Sequence, residues 1–308
     1  MAENRFAFFG GEIVPIEAAK VSIMTSAFNY GTGVFEGIRA YWNEQEGQLY
    51  VFRLLDHYRR FLRSCKILMI ELPYDAEQLA QKTLELLNRE GYRQDTYIRP
   101  LGYKSSEVIG VKLHDLENAC AIFAVPFGKY IDRPAGSRVK VSSWRRNADN
   151  AIPARGKITG AYVNSALAKT EVLLEGFDEA LVLDQQGHVS EGSAENVYIV
   201  RDRTLITPPP SADILEGITR ETIRQIAQEE LGVPTVERYI DRSEFYVADE
   251  AFFCGTGVEL MPIVEVDRRP VDDGAIGPIT RQISELYFKI VRGQEPRYRD
   301  WCTPVYER

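Results

Sequence analysis

Lys157 closes the run from Ile152 to Gly156 and opens the run to Tyr162, and a Ser190-Glu191-Gly192 segment ending at Asn196 follows it in the chain. A lysine amine condenses with an aldehyde to a Schiff base. A fixed carboxylate keeps a pyridine nitrogen protonated. Together these are the two protein groups that pyridoxal phosphate chemistry requires. Each also has a plain reading, since most lysines are solvated and a Ser-Glu-Gly triplet makes an ordinary turn. The weight therefore falls on the segments around them.

Two further stretches are suited to a phosphate. Gly217-Ile218-Thr219 stands where the spacing predicts a helix to start, and free N–H groups with the positive end of the helix dipole favour an anion there. Gly255-Thr256-Gly257-Val258 follows the apolar run Ala251–Cys254, where two glycines permit close backbone approach and Thr256 adds a hydroxyl. A plain helix cap and a plain tight turn are the alternatives. Neither stretch is a P-loop, because the lysine of that motif is missing. The run Tyr30–Gly37 has the wrong glycine spacing for a dinucleotide fingerprint, so nicotinamide binding is set aside.

These residues need elements to position them. The Gly10-Gly11 pair between β-prone runs predicts a hairpin, and a second hairpin is predicted to join Ile38–Trp42 to Leu49–Arg53. A helix is expected from about Asp56 to Met69, with Tyr58, Phe61, Leu62, Cys65, Leu68 and Met69 as its buried stripe and His57 on its surface. Another is expected from about Ala76 to Arg89, and Tyr97–Leu101 and Cys120–Phe127 read as strands. The polar, turn-rich stretch 129–137 is the linker candidate, separating a smaller domain (1–128) from a larger one (138–308). Beyond it, Val163–Glu175 and Thr219–Leu231 read as helices, the second with Thr222, Ile223, Ile226, Ala227 and Glu230 on one face. Glu179–Asp184 and Asn196–Val200 read as strands. Hairpins beside helices, without regular alternation, give the class α+β.

Composition narrows the partners. The 308 residues are 44% hydrophobic and 27% charged, as in an ordinary globular protein with room for two domains. A net charge of −8 argues against a nucleic-acid or anionic-membrane partner. The N-terminus lacks signal-peptide character, and no apolar run reaches membrane-spanning length. The cysteines Cys65, Cys120, Cys254 and Cys302 are scattered, which suggests reduced thiols in the cytoplasm and no zinc site. The histidines His57, His114 and His188 are likewise dispersed, so no metal is expected.

Taken in order, Tyr30–Arg39 with its Phe35-Glu36-Gly37 core, Tyr97-Ile98-Arg99, Lys157, Ser190–Asn196, Gly217–Arg220 and Gly255-Thr256 resemble the class IV aminotransferases. The likeness is greatest to the bacterial branched-chain amino acid aminotransferases and covers nearly the whole chain. It implies a two-domain fold-type IV enzyme, with a small N-terminal α/β domain, a larger pseudo-barrel domain and pyridoxal 5′-phosphate between the two. Lys157 would carry the cofactor and shuttle the proton, Glu191 would face the pyridine nitrogen, and Tyr162 would bond the ring's phenolic oxygen. Arg60, Gly217, Ile218, Thr219 and Thr256 would hold the phosphate.

The resemblance also implies a substrate pocket. Tyr30, Phe35, Val111, Phe127 and Tyr130 would form its walls, with Arg39 and Arg99 as cations, the latter for the distal carboxylate of glutamate. Tyr97 and the Gly257–Val258 amides would take the α-carboxylate. The reaction implied is transamination between branched-chain L-amino acids and 2-oxoglutarate, giving branched-chain 2-oxo acids and glutamate. A loop of a neighbouring subunit completes the pocket in the family, which implies at least a homodimer, or a hexamer built as a trimer of dimers. Phe127 stands where the best-known bacterial members carry tryptophan, and Gly102–Val111 differs in detail; both bear on side-chain preference. Related enzymes acting on D-amino acids or (R)-amines, or as aminodeoxychorismate lyases, share Lys157 and Glu191. A non-catalytic anion-binding protein on the same scaffold is the rival of another class.

Overall fold

The computed structural model describes residues 5–128 and 135–307, and it divides into two compact units, each mixing helices with one sheet. The first comprises Met1–Gly128, Gly156–Gly160 and Lys289–Arg308, and the second Lys129–Arg155 and Ala161–Phe288. The sequence had assigned everything after the linker to one domain. Pairing explains the difference. Ile158 bridges to Val34, and Cys302–Pro304 runs antiparallel to Gln48–Phe52, so both stretches return to the first unit. Residues 129–134 of the expected linker lie outside the described residues, and its last residue, Ser137, already opens a strand.

In the first unit the strands run in the order Cys302–Pro304, Gln48–Phe52, Ile38–Asn43, Thr96–Lys104, Asn118–Pro126, Phe6–Phe9, Glu12–Pro15, all antiparallel. Gly33–Phe35 also pairs with Thr96–Lys104. Thr96–Lys104 alternates between buried and half-buried residues along its whole length. Ile98 therefore faces the core, while Tyr97 and Arg99 share the other face. The helices are α1 (Ser26–Tyr30), α2 (Leu54–Ile67) and α3 (Ala76–Glu90). Asp75 and Gln78 form a reciprocal cap that starts α3.

The stripe of α2 differs from the expected one. Leu54, His57, Tyr58, Arg60, Phe61, Ser64 and Cys65 are buried, whereas Met69 is half exposed. The apolar members pack on the sheet, where Phe61 and Cys65 press so closely on Gly102 that a Cβ would meet them at 3.0 and 3.1 Å. Burial of an aromatic such as Phe61 contributes about 1.5–3 kcal/mol, and truncating it would open a cavity. The polar members are buried because each has a partner, described below. His57 is thus not the surface neighbour its type suggested.

In the second unit the order is Val189–Gly192, Glu179–Leu183, Ser137–Arg145, Glu259–Val266, Glu250–Gly255, Asn196–Arg201, Thr204–Thr207, Thr235–Glu237, with Arg269–Pro270 pairing on Glu259–Val266. Ser137–Arg145 is parallel to both neighbours, which makes this sheet mixed. Its core gathers Val139, Leu181, Val197, Phe245, Phe253 and Ile263, among others. The helices are α4 (Tyr162–Leu174), α5 (Ile218–Leu231) and α6 (Pro278–Val291). The face of α5 is as expected except for Glu230, which is exposed in the last turn. Among the described residues, no helix is long and apolar enough to cross a membrane.

Candidate active site

Lys157 sits in a short loop laced onto the strand Gly33–Phe35. Its backbone N–H donates to Ser64 Oγ at 3.1 Å, and its carbonyl accepts from the Phe35 N–H at 3.0 Å. Thr159 Oγ1 donates to the carbonyls of Gly31 and Gly33 at 2.9 and 3.0 Å. Gly31 and Gly160 allow this approach, since a Cβ at Gly31 would meet Gly160 Cα at 2.9 Å. The main chain is thereby fixed on both sides of Lys157, and its Nζ lies 5.0 Å over the Phe35 ring.

One turn from Ser64 on α2, Arg60 forks onto Glu36. Nε donates to Oε1 at 2.7 Å and Nη2 to Oε2 at 2.8 Å, and His57 Nδ1 bonds Oε2 at 2.9 Å. Glu36 is fully buried. Burial opposes its ionisation, but the Arg60 charge and hydrogen bonds, with those of His57, outweigh it and hold the carboxyl well below the usual range. Burial pushes the His57 imidazole down, against the pull of Glu36, so the ring is neutral. Because a carboxylate only accepts, Nδ1 carries the proton.

Phe35, Tyr97, Arg99 and Phe127 come together on one side of the first sheet. Arg99 lies 4.4 Å from the Phe35 ring centroid, its Nη2 donates to Tyr97 Oη at 2.9 Å, and the Tyr97 and Phe127 rings are 5.2 Å apart. Gly37 makes room, since a Cβ there would run into the Tyr97 hydroxyl. Arg99 Nε is buried and finds no hydrogen-bond partner among the described residues. Arg39 is committed otherwise: its Nη2 donates to the carbonyls of Phe127 and Gly128 at 2.9 and 2.6 Å. Tyr30 Oη accepts from the Gly110 N–H at 3.1 Å, and Val111, next in the chain, is 86% exposed. Tyr130 lies outside the described residues.

In the second unit Glu191 is buried on the strand Val189–Gly192, where a register shift between Val189 and Glu191 re-aims the side chain. Arg146 Nη2 holds Oε1 at 2.6 Å. Oε2 accepts from Asn196 Nδ2 at 3.0 Å and the Leu215 N–H at 3.2 Å. Arg146 Nη1 also reaches Ser165 Oγ at 3.4 Å. Tyr162 opens α4 three residues before Ser165, which places both on one helix face. Gly217 is the N-cap of α5, with no side-chain cap, so the first N–H groups of Ile218 and Thr219 point out of the helix start. Gly255–Val258 turns between two strands beside Glu195, with open space where a Gly257 Cβ would stand.

The sequence reading gave no role to Glu36, Ser64, Arg146, Leu215 or Asn196. A signal existed for Glu36, a charge inside the apolar run Val34–Ile38, because a buried charge demands a partner. None existed for Arg146, which joins Glu191 only through sheet topology. Glu195 is a further buried acid. Burial, and then the charge of Glu179, push its carboxyl well above the usual range; Glu179 itself pairs with Lys169.

Comparison with known proteins bears on this geometry. The family model described as amino-transferase class IV matches residues 33–266. A probable branched-chain-amino-acid aminotransferase of Aquifex aeolicus (strain VF5) is 52% identical over 303 residues, covering 98% of this chain and 97% of that one. The branched-chain-amino-acid aminotransferase of Pseudomonas aeruginosa (strain PAO1) is 39% identical, covering 97% of this chain and 96% of that one. Among solved structures, the branched-chain aminotransferase from Thermoproteus uzoniensis with norvaline superposes with a TM-score of 0.94 at 47% identity, covering 98% and 99% of the two chains. The branched-chain amino acid aminotransferase from Thermobaculum terrenum in its PLP form gives a TM-score of 0.95 at 38% identity, with full coverage of both.

Proposed function

The chain belongs to the class IV aminotransferases, and from that premise we propose that it moves the amino group of branched-chain L-amino acids to 2-oxoglutarate with pyridoxal 5′-phosphate. The residues present suit that cofactor. A lysine with a fixed main chain, a buried carboxylate and an uncapped helix start are the groups its aldehyde, ring nitrogen and phosphate need. When bound, pyridoxal phosphate supplies the aldehyde that takes up the amino group and a ring that accepts the electron pair freed at the substrate α-carbon.

The protein's own residues then divide the work. Lys157 Nζ takes the proton from the substrate α-carbon and returns it at the cofactor's C4′ atom. Glu191, held by Arg146, Asn196 and the Leu215 amide, keeps the ring nitrogen protonated, and Tyr162 bonds the phenolic oxygen. Arg60, Gly217, Ile218, Thr219 and Thr256 hold the phosphate. Phe35 and Phe127 shelter an aliphatic side chain, and Tyr97 with the Gly257 and Val258 amides takes the α-carboxylate. One observation carries the choice of substrates: a buried Arg99 nitrogen without a hydrogen-bond partner among the described residues stands among aromatic rings. Such a wall accepts an apolar chain in one half-reaction and pairs with a distal carboxylate in the other.

A homodimer fits the same reading. Val21, Ile23, Met24, Phe28, Ile109 and Val111 are exposed, and the Ser26 N–H bonds the Ser106 carbonyl at 2.9 Å, which joins the two segments that carry them. The four buried thiols accord with a cytoplasmic protein. The test is a panel of L-leucine, L-isoleucine and L-valine against D-alanine and an (R)-amine, with 2-oxoglutarate as acceptor. Turnover of the L-amino acids is expected. Turnover of only the last two would overturn the substrate reading. Borohydride reduction followed by peptide mapping should place the cofactor label on Lys157, and a label elsewhere would overturn the cofactor reading.

A further inference from the structure

We propose that Asn196 is a positioning residue that ties the Glu191 carboxylate to the turn opening α5, so that the ring end and the phosphate end of the cofactor are held as one piece. The inference rests on the cofactor reading above and deepens it. Asn196 is 6% exposed and begins the strand Asn196–Arg201. Both hydrogens of its Nδ2 are used: one goes to Glu191 Oε2 at 3.0 Å, the other to the Leu215 carbonyl at 2.9 Å. The Leu215 N–H donates back to the same Glu191 oxygen at 3.2 Å. Three residues thus close a ring of hydrogen bonds on one carboxylate oxygen.

The chemistry permits only one orientation of this amide. Nδ2 faces a carboxylate and a carbonyl, both acceptors, so a flipped amide would set Oδ1 against two lone-pair groups. With Nδ2 so placed, Oδ1 lies over Gly217, where any Cβ would run into it. Gly217 φ and ψ are −71° and 133°, a conformation open to any residue. The glycine is therefore required by Asn196 and not by its own backbone. Leu215 and Gly217 flank Glu216 just ahead of the N–H groups of Ile218 and Thr219, so whatever moves Asn196 moves the helix start as well. Arg146 holds the other Glu191 oxygen and reaches Asp213, but has no contact with Gly217 among those described.

The experiment uses the full chain, stripped of cofactor and titrated calorimetrically with pyridoxal phosphate, with unphosphorylated pyridoxal and with inorganic phosphate. Asn196→Ala, Gly217→Ala and the double variant are compared with wild type. Loss of a bond to a charged group predicts that Asn196→Ala weakens pyridoxal phosphate by about tenfold to a hundredfold. Pyridoxal and inorganic phosphate should each weaken too, while the melting temperature of the stripped protein falls by only a few degrees, the share of two buried hydrogen bonds in a chain of this size. Gly217→Ala should weaken pyridoxal although the change lies in the phosphate stretch. The double variant should be no worse than the poorer single one, because the atom that the new Cβ strikes is gone.

Weakening of one probe alone in Asn196→Ala, or fully additive losses in the double variant, would overturn the linkage and leave the cofactor reading standing. If Asn196→Ala does not fold, Gly217→Ala decides, and unchanged pyridoxal binding there overturns the proposal. A wild type that takes up none of the three probes overturns the cofactor reading, and the linkage with it.

Discussion

Replacing Glu36 by leucine removes the acceptor of three buried hydrogen bonds, two from Arg60 at 2.7 and 2.8 Å and one from His57 at 2.9 Å. It leaves the Arg60 guanidinium buried opposite an apolar group. Breaking a buried ion pair from one side costs about 3–5 kcal/mol, chiefly through the stranded charge. In a chain of this size that lowers the melting temperature by on the order of 10 °C. Adding Arg60→Met removes the stranded charge and should return most of the loss, because a buried pair replaced by packed apolar side chains is often neutral. Melts of the stripped proteins at pH 7.5 and one protein concentration make the comparison. The sign with pH is fixed as well. The folded His57 and Glu36 both bind protons less readily than they would unfolded, so their contributions are complete above the ordinary values of 6.5 and 4.5. As pH falls, stability is lost first through His57 and then through Glu36, at up to about 1.4 kcal/mol per unit for each. The gap between wild type and Glu36→Leu should narrow below pH 4.5. A single variant within about 1 kcal/mol of wild type, or a double variant worse than the single, refutes the account of Arg60 as a charge held by Glu36.

Lys157→Ala should cut turnover by at least about 10²–10⁴-fold, the share of a positioned proton transfer, while the melt of the stripped protein holds, because the main-chain bonds that fix the Lys157 loop remain. Full activity in that variant would reject the assignment. Arg99→Ala should raise KM for 2-oxoglutarate and glutamate by about tenfold or more and spare leucine, since only the former bring a second carboxylate; equal losses would count against the clamp. Glu195→Gln tests the raised carboxyl. A group that binds its proton more tightly when folded gives stability below its ordinary value, and loses it as pH rises through the folded value. The uncharged glutamine escapes that loss, so the variant should gain on wild type as pH rises from 4.5 through neutrality, and parallel melting curves would contradict it.

Periodicity made much of the scaffold legible. The stripe Tyr58–Phe61–Cys65, the alternation along Thr96–Lys104 and the glycine-closed end of α5 are local patterns, and local patterns survive folding. What the pattern could not supply was which polar residues are paired across long separations. His57 looked like a surface residue because nothing within a few positions of it is acidic and inward; its partner Glu36 is 21 residues away in the chain. The return of Gly156–Gly160 and the C-terminal strand to the first unit is likewise a matter of strand pairing that no composition shift announces. The site residues that the motifs brought to notice are those proposed to touch ligands, whereas Arg146, Ser64 and Glu36 hold other side chains or main chain, and their types are common everywhere in a sequence.

A buried glutamate paired with an arginine stands in each unit, Arg60 buried and Arg146 partly so, and the two pairs are built for opposite tasks. In the first, Glu36 is fully sequestered, and α2 delivers Arg60 and His57 to it from successive turns, so the acid serves to aim the base. In the second, the acid is the aimed partner: Arg146 takes one oxygen while a side-chain amide and a backbone N–H crowd onto the other. Such crossed donors fix the plane of the Glu191 carboxylate as well as its position, which a single ion pair would not do, because one contact leaves rotation about the last side-chain bond. The role proposed for Glu191, keeping a ring nitrogen protonated, needs that second constraint, since a hydrogen bond weakens steeply once its angle departs from linear. Desolvating two ion pairs is costly, and an apolar core of the same volume would serve stability as well or better. That each unit keeps such a pair out of solvent is better explained by what the pair positions than by what it stabilises.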